Sequence, residues 1–168
     1  MFESVDWVSS EEITDAELAD TMIGLDLSLV EDYSIFIPMM SVHLDELVVV
    51  KPKAGSESKV EEQLSAHLDY IKDGAAFYPE QEIAAAGAVM GKTDDGFYYV
   101  VVHQVGSEIA EVIKNYKPGD EITKIDVPEI DGDGVTVVPT DELNGDADIN
   151  APAVMPGDTP VDDGVAVS

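Results

Sequence analysis

Three histidines are the side chains in this sequence best suited to bind a metal ion or to transfer a proton. They are His43, His67 and His103, and the triplet His-Leu-Asp occurs twice, at 43–45 and 67–69. With Asp45 or Asp69 they could form a metal site, or a hydrolytic centre based on His43 and Asp45. Histidine ligands usually lie close together on one element, whereas these three fall on separate predicted elements. The competing interpretation is that they are surface or boundary residues.

Adjacent acidic residues, at 45–46, 61–62 and 94–95, could supply a general acid and a general base. The chain has 36 acidic residues, so such pairs are expected by chance. We interpret them as solvated surface, helix-start and turn residues. No GxSxG motif is present, and the absence of cysteine excludes thiolate chemistry. The sequence therefore predicts no catalytic residue and no cofactor.

The C-terminal stretch ELNGDADINAP is similar to half of a calcium-binding loop. Asn144, Asp146 and Asp148 place oxygen donors at alternate positions, as calcium loops do. Glu142 stands where the first aspartate is usual, and Ala147 replaces the turn glycine. We therefore expect weak, diffuse binding of divalent cations to the acidic surface. A specific calcium site at these three residues, serving calcium-dependent adhesion or assembly, is the alternative.

The charge balance excludes several classes of partner. Eight lysines and no arginine oppose the 36 acidic residues, and the formal net charge is -28. Nucleic acids and anionic membranes are bound through lysine and arginine, so neither is an expected partner. The apolar runs are too short for a membrane span of about 20 residues. The first residues lack the pattern of a secretion signal, which indicates a cytoplasmic protein or one whose signal was removed.

Composition divides the chain into three segments. Residues 1–11 form an acidic leader, in which Trp7 either packs back as an anchor or meets a partner. Residues 12–120 are rich enough in apolar side chains to form a single domain. Residues 121–168 are an acidic tail, in which no lysine follows residue 124 and five of the nine prolines follow residue 126. We expect this tail to be largely irregular.

Hydrophobic periodicity and turn residues predict an α+β domain with the element order α-β-β-α-β-β-α. Helices show apolar residues at spacings of three and four, and strands show runs bounded by turn residues. The expected elements are helices near 15–23, 58–74 and 107–116 and strands at 33–42, 46–51, near 84–92 and 97–102. They form a mainly antiparallel four-stranded sheet of two hairpins, packed with helices.

Two strands carry further predictions. Phe97, Tyr98 and Tyr99 could form a stacking platform for a ligand, but a strand that is apolar on both faces favours a buried, central position. Pro38 lacks an amide donor, which predicts an edge strand or a bulge. Met39 and Met40 should point in opposite directions, one into the core and one outward. The exposed methionine beside Pro38 is the predicted place for a partner, so these three residues form the candidate partner-binding site.

Three pieces of sequence, in this order and spacing, resemble domain of unknown function 4358. They are the stretch 33–40, the acidic pair at 45–46 leading the second strand, and Tyr-Pro-Glu-Gln at 78–81. The resemblance covers about residues 12–116. It implies an exported bacterial domain of the cell envelope, of the kind found in small lipoproteins of Gram-positive, often gut-dwelling bacteria. The chain departs from that pattern because it contains no cysteine to carry a lipid.

The family resemblance brings no catalytic residues with it. We therefore expect a non-enzymatic binding module, extracellular or at the cell surface, that recognises a protein or an envelope component. A cytoplasmic location stays open.

Overall fold

The strands of residues 5–129, the part of the chain that the structure describes, form one antiparallel sheet. The structure is a computed structural model. Its elements are β1 Ser10–Glu12, α1 Ala16–Ile23, β2 Val30–Pro38, β3 Glu46–Pro52, α2 Glu57–Gly74, α3 Pro79–Ala86, β4 Val89–Lys92, β5 Tyr98–Val102 and α4 Gly106–Asn115. The strands lie in the order β1-β2-β3-β5-β4. A short 3₁₀ helix, Leu27–Leu29, leads into β2.

The α+β class and the two hairpins are confirmed. β2 pairs with β3, and β4 pairs with β5. The turn of the second hairpin is closed by the Thr93 amide, which donates to the Phe97 carbonyl at 2.8 Å, and Gly96 supplies a φ of 86°. Every residue of β5 is buried, and the strand lies between β3 and β4 as predicted. Tyr98 and Tyr99 are therefore core residues.

The predicted count of four strands is wrong because β1 is a fifth strand at the edge of the sheet. Ser10, Glu11 and Glu12 pair with the last residues of β2. This strand lies partly within the segment predicted as an acidic leader, and Val5 before it is 4% exposed. Three residues, two of them acidic, carry no alternating pattern, so only their pairing with β2 makes them a strand.

The helix α3 was also missed. Residues 84–86 fall within the strand predicted near 84–92, and no helix is predicted between residues 74 and 107. Instead Pro79 is the first residue of α3. A proline fits there because the first amides of a helix have no partner within the helix and the fixed φ of proline suits the first turn.

Pro38 does not mark an edge strand or a bulge. Amides of an antiparallel strand alternate in direction, and the Met39 amide donates toward β1, to the Ser9 carbonyl, at 2.9 Å. The backbone nitrogen of Pro38 therefore points toward β3. Pairing between β2 and β3 has already ended at Phe36. A proline is tolerated in this inner strand because its missing donor has no acceptor to meet. Met39 and Met40 lie beyond the strand and both are exposed, so neither fills the core.

The sheet is covered on both faces. On one face, α1, α2 and α3 pack against alternate residues of the central strands, including Val48, Val50, Val100 and Val102. On the other face, α4 packs against Leu47, Tyr99 and Val101, together with Val5, Trp7 and two residues after α4, Ile125 and Val127. The described part of the chain contains no helix long and apolar enough to cross a membrane. Residues 121–129 of the predicted tail contain no helix or strand.

Backbones approach each other closely where α3 ends and α4 begins. A Cβ at Gly106, the first residue of α4, would overlap the carbonyl oxygen of Gly87. A Cβ at Gly87 would in turn overlap the carbonyl oxygen of His103. Both obstacles are backbone atoms, which cannot rotate away, so these two glycines set the distance between the two helix ends.

We expect Gly106→Ala to lower the free energy of unfolding by about 1–3 kcal/mol, the usual cost of overpacking. Gly74→Ala is the matched control, because no atom lies within 4 Å of its Cβ position at the end of α2. That change should be neutral or raise stability by up to about 1 kcal/mol. Urea unfolding of the two variants checks both values, and equal effects would contradict the close approach.

Candidate functional site

An open groove of about 1310 Å³ lies on the face of the sheet covered by α1 and α2. It is bordered by the end of α1, the end of β2, the outer face of α2 and the loop between α2 and α3. Five large apolar side chains in its lining are exposed to solvent: Met22, Met39, Tyr70, Phe77 and Tyr78. We call this surface the aromatic groove.

The wall formed by α2 follows from the two-sided pattern of that helix. Val60, Leu64 and Ile71 are buried against the sheet. Residues 62, 66 and 70, spaced by four, form a neighbouring ridge that lines the aromatic groove. Because position 66 is an alanine, this wall is low at its middle, between the carboxylate of Glu62 and the ring of Tyr70.

The opposite wall is built where two elements end. α1 stops at Gly24, whose φ of 73° turns the chain back toward the sheet. Met22, on the last turn of α1, is half exposed. β2 ends at Pro38, and Met39, the next residue, is 64% exposed. The two methionines are thus presented at chain turns, where their side chains are not needed for the core.

A buried glutamine fixes the aromatic rim. The Gln81 side chain is part of α3 and accepts hydrogen bonds from the amides of Phe77 and Tyr78, at 2.8 and 3.2 Å. Its amide nitrogen donates to the Ser41 carbonyl at 2.9 Å. Gln81 therefore ties the loop that carries the aromatic rings to the loop that follows β2. Phe77 remains 79% exposed, although its backbone is held in place.

A histidine–carboxylate pair lies at the base of the aromatic groove. Nε2 of His67, on α2, is 2.7 Å from Oε1 of Glu46, the first residue of β3. Both side chains are buried, and both contribute to the lining. A buried carboxylate needs such a partner because its desolvation costs several kcal/mol. The pair fixes α2 against the start of β3.

A second histidine–carboxylate pair lies on the other face of the sheet. Asp45 precedes Glu46, and its Oδ1 is 3.6 Å from Nε2 of His103. Trp7 stacks on the His103 ring with a centroid distance of 4.9 Å. The Val105 amide donates to Nδ1 of His103 at 3.2 Å. Nε2 also lies 3.3 Å from the Asp6 carbonyl.

The structure does not bring the three histidines together. His67 and His103 are each paired with a different carboxylate on opposite faces of the sheet, and half-buried His43 lines the aromatic groove. Within residues 5–129 no group of three or more His, Asp or Glu side chains could hold a metal ion. Asp69 is exposed on α2. The calcium-loop residues Asn144, Asp146 and Asp148 lie outside the described residues.

The predicted partner-binding residues are divided by the structure. Pro38 and Met39 line the aromatic groove, whereas Met40 is exposed but is not part of its lining. Sequence reasoning missed the other contributors, Met22, Tyr70 and Phe77. The motif Tyr-Pro-Glu-Gln at 78–81 was noticed only as a mark of family resemblance. Its glutamine is the residue that holds the rim.

The family model described as Domain of unknown function (DUF4358) matches residues 3–103, well over half of the chain. The chain belongs to the DUF4358 family. The resemblance drawn from the sequence is confirmed, although the match begins earlier than residue 12 and ends before α4. No curated protein and no solved structure matches the chain. All the residues that line the aromatic groove, and both histidine–carboxylate pairs, lie within the DUF4358 match.

Burial raises the pKa of Asp45 in this DUF4358 domain above its ordinary value of 3.8. His103 acts in the opposite direction and lowers this pKa, but burial has the larger effect. The folded state therefore binds the Asp45 proton more tightly than the unfolded state does. Stability from this group is complete below about pH 3.8 and is lost as the pH rises through the folded pKa.

We therefore expect Asp45→Asn to be more stable than the unchanged protein at neutral pH, because asparagine cannot ionise in this buried position. The difference should shrink as the pH falls toward 3.8. Urea unfolding of both proteins across acidic and neutral pH measures it. Asp26→Asn is a control with the opposite expected result. The hydrogen bond from Ser28 lowers the pKa of Asp26, so this variant should be less stable than the unchanged protein at neutral pH. A loss of stability on Asp45→Asn that grows with pH would contradict the assignment.

Proposed function

We propose that this DUF4358 domain is a non-enzymatic binding module and that its aromatic groove holds a polypeptide segment of a partner protein. The observation that carries the proposal is the convergence of five exposed methionine and aromatic side chains on one open groove. Exposed apolar surface gathered in one place marks interaction sites, whereas single exposed residues do not.

The size of the groove favours a polymer over a small molecule. Pockets for small ligands measure roughly 300–1,000 Å³ and enclose most of the ligand. This groove is larger, about 1310 Å³, and it is open along one side. A chain segment lying in it would keep one face toward solvent, as helices do when they bind to grooves of other proteins.

The side chains suit protein recognition. Aromatic residues and methionine are enriched in interfaces, and charged residues are depleted from their centres. Met22 and Met39 can change rotamer at little cost and adapt to the partner. Gln81 holds the backbone of Phe77 and Tyr78 before the partner arrives, so less entropy is lost on binding.

A random library of peptides of about 16 residues, roughly 24 Å as helices, should yield binders when displayed on phage. Phe77→Ala should weaken the selected peptides by about 30-fold, since removing an aromatic anchor from an interface costs about 2 kcal/mol or more. Isothermal titration calorimetry measures the affinities.

Tyr116→Ala is the matched control, because Tyr116 is also exposed and lies outside the aromatic groove. It should leave the affinities unchanged. Both variants should unfold like the unchanged protein, since the side chains they remove are exposed. Selected peptides that bind the Phe77 variant as tightly as the unchanged protein would contradict the proposal.

The proposal also includes a place of action outside the cell or at the cell surface. It rests on the exported setting that the family resemblance implies and on the acidic surface, which does not attract nucleic acid. An antibody against the domain should label intact cells of the bacterium that produces it. Added protease should remove that label. Detection only after cell lysis would place the protein inside and reject this part.

A further inference from the structure

We infer that the partner segment is a cationic amphipathic helix. This inference rests on the proposed function and adds the chemistry of the ligand. It is carried by the charges around the aromatic groove, by the absence of a sheet edge in its lining and by the charge of the whole chain.

Exposed carboxylates outnumber exposed lysines by two to one in the lining of the aromatic groove. Asp20 and Glu62 are exposed carboxylates on α1 and α2, the two helices that border the groove. Glu46 adds a carboxylate at the base, where His67 pairs with it. Lys59 is the only lysine in the lining. A segment with apolar residues toward the centre and lysine or arginine toward the rim would satisfy both parts of this surface.

The backbone of the partner must find its hydrogen bonds without help from the sheet. An extended peptide that binds by adding a strand to a sheet needs a free strand edge. The edge strands of the described sheet are β1 and β4, and neither contributes to the lining of the groove. A helix satisfies its own backbone amides and carbonyls, so it can enter a groove lined by side chains.

Charge also decides between a foreign partner and this chain itself. A second copy would bring a net charge of -28 to an acidic rim. Residues 130–168 of the same chain carry nine acidic residues and no lysine, so they would meet the same repulsion. Like charges that face each other across an interface cost affinity, whereas a cationic segment is attracted from a distance.

Few lysines of this chain are available to pair with the carboxylates of the groove. All eight lie within residues 51–124, and several are already engaged within the chain. Lys53 donates to the Ser28 carbonyl at 2.7 Å, and Lys114 pairs with Glu111 at 3.2 Å. Lys59 is therefore the one lysine in the groove lining that could compete with an incoming helix for these carboxylates.

Three synthetic 16-residue peptides test the inference. They share one helical pattern of leucines, at spacings of three and four, and carry lysine, glutamine or glutamate at the polar positions. NMR titration of labelled protein reports whether a peptide shifts the signals of Met39, Phe77 and the other groove residues. Calorimetry at low and at high salt gives the affinity. We expect groove binding in the order lysine, then glutamine, then glutamate.

Two double variants with the same change in net charge separate rim charges from general attraction. Asp20→Asn with Glu62→Gln should weaken the lysine peptide by about 4- to 25-fold, at two- to fivefold for each exposed pair. The loss should shrink at high salt. Asp69→Asn with Glu82→Gln removes two exposed carboxylates outside the groove lining and should have less than a twofold effect.

The outcomes distinguish this inference from the proposed function. Equal weakening by both double variants would overturn the inference, since attraction would then be general. So would groove binding by the glutamate peptide at equal affinity, or groove shifts on adding unlabelled protein; in either case the groove would still be a binding site. If no peptide, cationic or selected from the library, shifts groove signals, the proposed function fails as well.

Discussion

The alternation of side chains at the start of β3 is the constraint on which both layers of this fold depend. Consecutive strand residues point to opposite faces, so Asp45 and Glu46 enter different layers. Each carboxylate is buried or nearly so and meets a histidine there. Glu46 fixes the position of α2 through His67, and Asp45 lies beside His103, on which Trp7 stacks. A buried charge without its partner costs several kcal/mol, so the Glu46–His67 pair keeps the layer that contains α2 from sliding along the sheet.

The pairs also explain how the aromatic groove keeps its shape. His67 attaches the buried face of α2 to Glu46 of β3. The ridge formed by residues 62, 66 and 70 of α2 is therefore free to line the groove. The other rim is held by Gln81, whose side chain joins the backbone at Phe77 and Tyr78 to the carbonyl of Ser41. Polar side chains thus fix the backbone around the aromatic groove. The exposed apolar side chains of the groove are not needed to hold that backbone in place.

Sequence reasoning succeeded where local pattern decides the structure. α1, α2, α4, β2, β3 and β5 carry clear periodicity or turn residues and were placed within a few residues of their observed bounds, whereas the strand predicted to begin near residue 84 begins at Val89. It failed where contacts between distant parts of the chain determine the local structure. β1 is stabilised only by pairing with β2, and α3 begins at a proline that also suits the end of a helix. The likeness to DUF4358 was visible because it depends on the order of short pieces.

The site was less predictable than the fold because its residues come from four elements. Met39 was expected from its place after Pro38, but Met22, Tyr70 and Phe77 meet it only in the folded chain. Keeping a phenylalanine 79% exposed forgoes much of the free energy of burying its ring, which is about 1.5–3 kcal/mol. A partner that covers Phe77 recovers that energy. With four further exposed apolar side chains around it, the groove can offset the entropy cost of association, which is at least about 4 kcal/mol.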